Sequence, residues 1–280
     1  MEKKERISVA FQGELGAFSF SAAQKLLGAG VKALPCPSFK EVFQAVNSDA
    51  ASHAVIPIEN TLHGSVHENY DYLLEYNLPI RGETSIRISH NLITLRGTRF
   101  GQLRRAFSHP VALNQCRSFF ERHKQIEPVP FYDTAGSVKM LQEERPPDAA
   151  AIASETAADL YGAIILRRNI EDNRRNFTRF FLLTKQKQPP TSGAGEWKTS
   201  LVFSTRNIPG ALFRATACFA LRDLNMTKIE SRPLRSRPWE YLFYLDILGA
   251  ENETRVKSAL ANLSEMTTLF KVLGSYRPTP

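Results

Sequence analysis

Residues 6–27 read RISVAFQGELGAFSFSAAQKLL and join a strand pattern to a helix pattern through a glycine turn. Residues 6–11 form a short apolar run that is typical of a buried strand, and the residues from Phe20 to Leu27 predict a helix. The turn, GELGAFS at 13–19, lets the backbone approach an anion near the N-terminus of that helix. An ordinary turn with Ser19 as the N-cap explains the same residues, so this motif alone does not establish a site.

The alternation of strands and helices continues through the first two thirds of the chain. Further helices are predicted at 38–48, 66–74, 111–120, 135–141 and 154–161, strands at 54–58, 149–153 and 177–184, and an extended segment at 80–95. This alternation predicts βαβ units around mostly parallel sheets, which bind ligands at the carboxyl ends of their strands. We therefore expect an α/β domain with a ligand cleft.

The pattern changes after KQKQPPTSGAGEW, residues 185–197, where the concentration of Pro, Gly and Ser indicates a linker. Beyond it, strands are predicted at 199–204, 226–231, 241–248 and 269–274, and helices at 210–222 and 252–263. The resulting order, βαββαβ, predicts a small ferredoxin-like unit.

Composition limits the class of protein. A chain of 280 residues with 42% hydrophobic residues suits two ordinary domains. The formal net charge of +8 suits an anionic ligand, but no RNP or zinc-finger spacing supports nucleic-acid binding. Cys36, Cys116 and Cys218 lie far apart and fit neither a disulfide framework nor a metal site. Because we find no apolar run that would span a membrane and no targeting segment, we expect a cytoplasmic protein, or a mature form without its targeting segment.

Polar side chains follow a predicted strand within PIENTLHGSVHENYD, residues 57–71. The strand end delivers Glu59 and Asn60 to the carboxyl edge of the sheet, and the Asn60 amide can donate and accept hydrogen bonds. This suits a ligand that carries both hydroxyl and carboxylate groups. His63 and His67 are four residues apart, but HGSVH lacks the glutamate of an HExxH motif, so a metal pair is not expected.

A capped helix is predicted within SHPVALNQC, residues 108–116. Pro110 suits the first helical position, and Ser108 lies near the cap. Gln115 then lies about one and a half turns into the helix. A capped amphipathic helix and a ligand site are equally compatible with this motif.

A hydroxyl and a guanidinium stand side by side in NFTRFFLL, residues 176–183. Arg179 offers a bidentate grip on a carboxylate, and Thr178 can donate a hydrogen bond to a leaving hydroxyl. Successive strand residues point to opposite faces, so both reach one ligand only if the strand begins there. Otherwise Arg179 is a surface residue.

Several familiar catalytic motifs are missing from the sequence. It contains no P-loop, no GxSxG elbow, no catalytic Cys–His spacing and no metal cluster. We therefore expect chemistry without a cofactor or metal, which depends on positioning and hydrogen bonds.

Taken together, GELGAFS, PIENTLHGS, SHPVALNQC, DTAGS, AAIAS and NFTRFFLL occur in the order seen in prephenate dehydratases, and plant arogenate dehydratases are similar. Beyond the linker, PGALFR and KIESRP resemble the GALF and ESRP motifs of that family's regulatory ACT domain. The resemblance implies a catalytic domain with a two-lobed, periplasmic-binding-protein-like fold, a linker and a ferredoxin-like ACT domain. The catalytic domain is predicted at 1–186, with one lobe formed by roughly 1–83 and 170–186 and the other by 84–169. The linker is predicted at 187–196 and the ACT domain at 197–280.

This resemblance implies a hydro-lyase that converts prephenate to phenylpyruvate, with loss of water and carbon dioxide, on the route to phenylalanine. Arogenate dehydratase, which acts on the amino counterpart of prephenate, is the alternative. The implied cleft residues are Asn60, Ser108, Gln115, Thr178 and Arg179, with Ser19 and Glu59 as neighbours and Phe180 as an apolar wall. Three positions depart mildly from the family pattern, namely Phe18 for tyrosine, Thr61 for serine and Asn91 for cysteine.

The implied chemistry suits these residue types. Loss of the ring hydroxyl and ring carboxylate makes the ring aromatic, so the enzyme must mainly orient the substrate, bind a dianion and assist the departing oxygen. Threonine is a poor acid at neutral pH, so we interpret Thr178 as a hydrogen-bond donor to the developing hydroxide. Glu59 is a competing general acid if burial raises its pKa.

The second domain is expected to bind phenylalanine at a subunit interface and to inhibit the enzyme by feedback. Gly210 would open a helix whose N-terminus receives the effector carboxylate, with apolar contacts from the rest of the GALF motif. Acceptors for its amino group would come from the ESRP motif. These candidate effector residues are Gly210, Ala211, Leu212, Phe213, Glu230 and Ser231. Feedback needs two states that bind the ligand unequally, which implies a homodimer or homotetramer.

Two other functions compete with this interpretation. The two-lobed fold also serves non-catalytic solute capture, although the ACT-like segment argues against that role. The positive charge alone suggests a nucleic-acid-binding regulator. Neither rival accounts for the ordered set of motifs, and we expect no nucleic-acid or membrane partner.

Overall fold

The computed structural model describes residues 7–186, 196–234 and 240–279. Contacts between Cα atoms divide the chain into two compact units, one formed by Met1–Tyr76 with Thr84–Leu182 and the other by Asn77–Glu83 with Leu183–Pro280. Residues 187–195 of the predicted linker lie outside the described residues. Among the described helices, none combines the length and apolar character that a membrane crossing requires.

The first unit alternates strands and helices, as the sequence predicts. Its elements are β1 (Ser8–Gln12), α1 (Phe18–Leu27), β2 (Lys32–Cys36), α2 (Phe39–Asn47), β3 (His53–Asn60), β4 (Gly64–Ser65), α3 (His67–Glu75), β5 (Ile80–Arg87), β6 (Asn91–Thr94), a short 3-10 turn (Phe100–Gln102), β7 (Arg105–Ser108), α4 (Pro110–Asn114), α5 (Arg117–Arg122), β8 (Glu127–Pro130), α6 (Thr134–Glu144), β9 (Ala149–Ala153), α7 (Glu155–Leu160), β10 (Ile164–Arg167) and β11 (Phe177–Thr184). The predicted α/β fold class is confirmed.

These strands form two sheets. The first contains the order β5-β11-β3-β1-β2, with β4 paired to β3, and β1 runs parallel to both β2 and β3. The second has the order β10-β6-β9-β7-β8, in which β7 is parallel to β8 and β9. Each sheet has its own apolar core, with Val9, Val55 and Phe180 in the first and Ile93 and Ala151 in the second.

The chain passes twice between the two sheets, through residues 88–90 and residues 168–176. The crossing explains why the segment 80–95 is not one continuous strand. Arg87 and Glu171 form an ion pair at this point, and the Glu171 side chain is 1% exposed. The same carboxylate accepts a hydrogen bond from the backbone N–H of His90 at 2.9 Å, so both crossings are fixed to each other.

The glycine turn after β1 lies against the start of α7. The Oγ of Ser154 donates to the carbonyl of Gly16 at 2.7 Å, and a Cβ on Gly16 would lie 2.7 Å from the Cα of Ala157. Gly16 also has a φ of 90°. Glycine is required here because the backbone approaches α7 closely in a left-handed conformation.

The helix predicted at 111–120 is two helices, α4 and α5. The chain breaks at Gln115 and restarts where the carboxylate of Asp172 accepts hydrogen bonds from the backbone N–H groups of Arg117 and Ser118, at 2.9 and 3.0 Å. The backbone of Asp172 in turn donates to the carbonyl of Gln115 at 2.7 Å. A distant carboxylate therefore caps the second helix, which local periodicity cannot predict.

The second unit has the predicted βαββαβ order. Its elements are β12 (Lys198–Ser204), α8 (Ala211–Ala220), β13 (Met226–Pro233), β14 (Tyr241–Leu248), α9 (Thr254–Glu265), β15 (Leu269–Tyr276) and a terminal β16 (Pro278–Thr279). A four-stranded sheet of order β13-β14-β12-β15 has antiparallel pairs. Both helices contribute to its core through Phe219, Val256 and Leu263. The ferredoxin-like fold class is confirmed.

Residues 77–83, which the sequence prediction places in the first lobe, belong by their contacts to this unit, so β5 is divided between the two units after Glu83. Lys198 and Glu83 form an ion pair with side-chain exposures of 12% and 6%. The hydroxyl of Tyr276 also donates to Glu83, at 3.3 Å. Buried charges need such partners, so Glu83 ties its segment to β12 and β15.

Candidate active site

A cleft of about 300 Å³ opens within the first unit at the carboxyl ends of β1, β3, β7 and β8. This is where ligands bind in open α/β sheets. The residues that line it come from both sheets and the crossings, namely Gln12, Phe18, Ser19, Pro57, Asn60, His63, Ile88, His90, His109, Val111, Ala112, Gln115, Tyr132, Asp133, Thr134, Thr178 and Phe180. Five predicted site residues are thus brought together: Ser19, Asn60, Gln115, Thr178 and Phe180.

Asn60 and Thr178 are joined directly in this cleft. Asn60 ends β3, Thr178 is the second residue of β11, and these strands are neighbours. The Nδ2 of Asn60 donates to the Oγ1 of Thr178 at 2.9 Å and to the Oδ1 of Asn176 at 2.7 Å. The Oδ1 of Asn60 accepts from the backbone N–H groups of Leu62 and His63, at 2.9 and 3.0 Å. Because Thr178 accepts this bond, its own hydroxyl proton is available to donate.

Two aromatic rings give the cleft an apolar wall. Phe180 is 2% exposed and lies two residues after Thr178, so both side chains are on the same face of β11. Phe18 and Ser19 begin α1, and Ser19 is buried. A flat apolar ring would therefore find an aromatic surface beside the Thr178 hydroxyl.

Gln115 lies between two imidazoles. Its Oε1 is 2.7 Å from the Nε2 of His90, and its Nε2 is 2.7 Å from the Nε2 of His63. His90 is 2% exposed, and burial lowers its pKa, an effect partly opposed by the bond to Gln115 and the charge of Glu171. The Nδ1 of His90 is buried and has no hydrogen-bond partner within the described part of the chain.

Acidic groups lie on the opposite side of the cleft. Asp133 caps α6 by accepting from the N–H of Gly136 at 2.7 Å, and burial raises its pKa despite its backbone hydrogen bonds. The hydroxyl of Tyr132 donates to Glu14 at 3.0 Å, and Lys139 pairs with the same carboxylate at 3.3 Å. Burial and the bond to Glu14 raise the pKa of Tyr132 to about 12.

Three predicted site residues lie outside the residues that line the cleft. Arg179 pairs with Glu59 at 3.3 Å, and its guanidinium lies 5.1 Å from the centre of the Phe181 ring. This follows from strand alternation, because Thr178 and Arg179 point to opposite faces of β11. Ser108 is fully buried and donates to the carbonyl of Ile152 at 2.6 Å. The structure therefore gives no support to the predicted carboxylate clamp by Arg179 or to Ser108 as a cleft residue.

The second unit contains a separate pocket of about 230 Å³. The predicted effector residues Gly210, Ala211, Leu212 and Phe213 line it, together with residues 205–208, Glu240, Tyr241 and Phe243. Gly210 is the N-cap of α8 and has a φ of 74°. The other two predicted effector residues, Glu230 and Ser231, lie on β13 and do not line this pocket.

Sequence reasoning did not identify several residues at this site. His63 was weighed only as a metal ligand, and Asn176, His90 and Asp133 were not singled out. Asn176 is fully buried and hydrogen-bonded to Asn60. Its position just before the strand that carries Thr178 is the sequence feature that could have identified it. His90 had no signal, because it lies where the chain passes from one sheet to the other.

Comparison with known proteins finds relatives along almost the whole chain. A family model described as prephenate dehydratase matches residues 9–188. Arogenate dehydratase/prephenate dehydratase 2 of Arabidopsis thaliana is 43% identical over 281 residues, which cover 97% of this chain and 73% of that protein. The prephenate dehydratase of Arthrobacter aurescens, solved in complex with L-Phe, superposes with a TM-score of 0.87 at 31% identity, covering 97% of this chain and 90% of that one. GqqA, described as a novel type of quorum-quenching acylase, has a TM-score of 0.89 at 35% identity, covering 98% of both chains.

Proposed function

Because the chain belongs to the prephenate dehydratase family of hydro-lyases, we propose that it converts prephenate to phenylpyruvate, carbon dioxide and water in phenylalanine biosynthesis. The hydrogen bond from Asn60 to Thr178 beside the Phe180 ring carries this proposal. It holds a hydroxyl donor at an aromatic wall, which is what elimination of a ring hydroxyl requires.

In the proposed reaction, the bond between the ring and its hydroxyl breaks as the bond to the ring carboxylate breaks. The electron pair of the second bond enters the ring, carbon dioxide leaves, and the departing hydroxide takes up a proton from solvent to become water. Thr178 donates a hydrogen bond to the departing oxygen, and Asn60 fixes the direction of that donor. Donors aimed at developing charge typically contribute about 10²–10³ in rate. Glu59 is paired with Arg179 outside the cleft lining, so Thr178 is the better candidate for assisting departure.

Helix N-termini supply part of the complement to a dianionic substrate. α1 and α6 begin at residues that line the cleft, Phe18 and Thr134, and α4 begins directly after the lining residue His109. The first turns of helices leave backbone N–H groups without intrahelical partners, and the helix dipole favours negative charge there. Gln115 and Ser19 add polar side chains to the same lining.

Arogenate is the alternative substrate, with an ammonium where prephenate has a keto oxygen. The Arabidopsis relative carries both activities in its name. The test is turnover of both compounds by the purified protein, with phenylpyruvate followed by ultraviolet absorbance and phenylalanine by chromatography. We expect prephenate to have the higher kcat/KM. A tenfold preference for arogenate would replace prephenate in the proposal, and turnover of neither compound would refute the proposed reaction.

We further propose that L-phenylalanine is a feedback inhibitor that binds at the GALF pocket of the second unit. The N-terminus of α8 suits a carboxylate, while Leu212 and Phe213 offer apolar contacts. Assembly into a dimer or tetramer accompanies this proposal, and Ile229 on the edge strand β13 exposes an apolar side chain that such assembly would cover. A cytoplasmic location remains a prediction.

A further inference from the structure

The cleft poses an electrostatic problem for the proposed substrate. Prephenate carries two carboxylates, yet the residues that line the cleft include neither lysine nor arginine. Asp133 even adds a carboxyl group to this lining. Helix N-termini supply only partial charges, so the lining side chains that can carry a full positive charge are the three histidines, His63, His90 and His109.

Two of these histidines are constrained by their surroundings. His90 is 2% exposed, and desolvation disfavours its imidazolium. His109 caps α4 by accepting a hydrogen bond at Nδ1 from the N–H of Val111, at 3.2 Å, and protonation of Nδ1 would break this cap. His63 is exposed and, among the hydrogen bonds of the described residues, has none at Nδ1, so we take it as the candidate for carrying the charge.

The amide of Gln115 links the charge of His63 to the tautomer of His90. An amide has one donor side and one acceptor side, so one imidazole must donate to Oε1 while the other accepts from Nε2. With the Gln115 amide oriented as in the structure, His90 must donate from Nε2 and His63 must accept at Nε2 for both hydrogen bonds to form. A protonated His63 cannot accept, and the contact at 2.7 Å then requires the amide to turn over.

We propose that His63 takes up a proton when the dianionic substrate enters and that Gln115 turns its amide to accommodate the resulting imidazolium. The proton adds at Nε2 of His63, whose N–H then donates to Oε1 of Gln115, while its Nδ1–H donates to a substrate carboxylate. The Nε2 of Gln115 now donates to Nε2 of His90, which gives its Nε2 proton to solvent and takes up another from solvent at Nδ1, so the net uptake is the one proton on His63. Because Nδ1 of His90 lacks a partner in either arrangement, the exchange leaves the number of unpaired buried atoms unchanged. This inference rests on the proposed function, because it requires a dianionic substrate.

Charged and titratable groups surround this relay on several elements. The segment of His63 itself carries Glu59 and His67. The crossing at 168–176 contributes Glu171, Asp172 and Arg175. The carbonyl of Arg175 accepts a hydrogen bond from the hydroxyl of Thr61. β11 carries Arg179, which is paired with Glu59, and the far side of the cleft holds His109, Tyr132 and Asp133. Histidine changes charge between about pH 5 and 8, and His67 lies on the same segment as His63 but is not among the residues that line the cleft. His67→Gln is therefore the matched control.

Steady-state kinetics with prephenate between pH 5.5 and 8.5 test the relay. For the wild type we expect KM to rise with pH as His63 loses its proton, with a smaller change in kcat. His63→Gln should have a KM roughly tenfold above the wild-type value at the acid end and no further rise, because a charge-assisted hydrogen bond is lost. His63→Lys keeps a positive charge, so its KM should remain low across the range, and His67→Gln should follow the wild type. A wild-type KM profile in His63→Gln would overturn the inference.

Calorimetry separates this inference from the proposed reaction, because it does not need turnover. Prephenate is titrated into Thr178→Val protein in phosphate and in Tris, whose ionisation enthalpies differ, at pH 7.5. We expect proton uptake on binding, and loss of that uptake in Thr178→Val/His63→Gln. Binding without uptake would overturn the relay alone. A wild type that turns over neither substrate, with no prephenate binding, would overturn the proposed function as well.

Discussion

The amide of Asn60 donates a hydrogen bond of 2.9 Å to the hydroxyl of Thr178, and this contact joins two adjacent strands at the floor of the cleft. Asn176 receives the other Asn60 bond, at 2.7 Å, while the Asn60 carbonyl holds the backbone of the following turn. The amide is thus fixed on both sides. A fixed amide leaves the Thr178 hydroxyl one direction in which to donate, which is into the cleft.

Replacing Thr178 by valine should remove the proposed donor to the departing oxygen. We expect kcat for prephenate to fall by about 10²-fold or more with little change in KM, because the interaction forms only as charge develops. Thr178→Ser keeps the hydroxyl and should retain most of the rate. The measurement is phenylpyruvate formation by ultraviolet absorbance.

The Asn60→Ala change provides an internal check, because the two side chains act as a unit. In the Thr178→Val background, the Asn60→Ala change should lower kcat by a much smaller factor than it does in the wild type. A double variant whose loss of kcat equals the product of the two single losses would contradict the assigned roles. A Thr178→Val enzyme that keeps the wild-type kcat would contradict them as well.

Much of the fold followed from local patterns. The strand at 6–11, the turn and the helix after it agree with β1 and α1, and the βαββαβ order of the second unit was readable from periodicity. The short strands β2, β7, β8 and β10 were missed. β2 and β8 contain prolines, which are poor indicators of a strand, and they form because the neighbouring strands β1 and β7 supply parallel partners.

The site was predictable only where chemistry and strand position coincide. Asn60 and Thr178 end and begin strands, so their meeting follows from sheet topology, whereas alternation places Arg179 on the other face. The contact of Gln115 with His63 and His90 depends on where separate loops and the sheet crossing are placed in space. No spacing within the sequence encodes that arrangement.

Ser108 should serve stability rather than chemistry. Its hydroxyl is fully buried and donates to the carbonyl of Ile152 at 2.6 Å, which links β7 to β9. We expect Ser108→Ala to lower the free energy of unfolding by about 1 kcal/mol, or roughly 2–4 °C in Tm, with kcat within about threefold of the wild type. Thermal unfolding followed by circular dichroism measures the first effect. An unchanged Tm with a large loss of kcat would return Ser108 to the active site.

Arg179 should likewise act through packing. Its guanidinium lies against the Phe181 ring and pairs with Glu59, whose side chain is 38% exposed, so the ion pair is partly screened. We expect Arg179→Gln to lower Tm by a few degrees, corresponding to about 1 kcal/mol, and to leave KM for prephenate within about threefold. A KM at least tenfold higher with an unchanged Tm would restore the carboxylate clamp.

Burial of His90 should make the protein less stable in mild acid. Its pKa is lowered in the folded state, chiefly by desolvation, so the unfolded chain binds more protons between this pKa and the ordinary value of about 6.5. Stability therefore rises with pH across that window and is fully present above it. We expect Tm to fall as the pH drops below about 6.5, and His90→Asn to flatten this slope. Equal slopes in both proteins would show that His90 is not the group responsible.

Inhibition by phenylalanine should depend on the apolar side chains of the GALF pocket. Phe213 is 74% exposed and lines that pocket, so its removal costs little folding energy but would deprive a bound phenylalanine of an aromatic contact. We expect Phe213→Ala to raise the phenylalanine concentration for half-inhibition by about tenfold, since burial of an aromatic side chain is worth about 1.5–3 kcal/mol, with uninhibited kcat unchanged. Leu221→Ala, at an 83% exposed position just beyond α8 and outside the pocket lining, is the matched control. If Phe213→Ala and Leu221→Ala are inhibited at the wild-type concentration, the effector binds elsewhere.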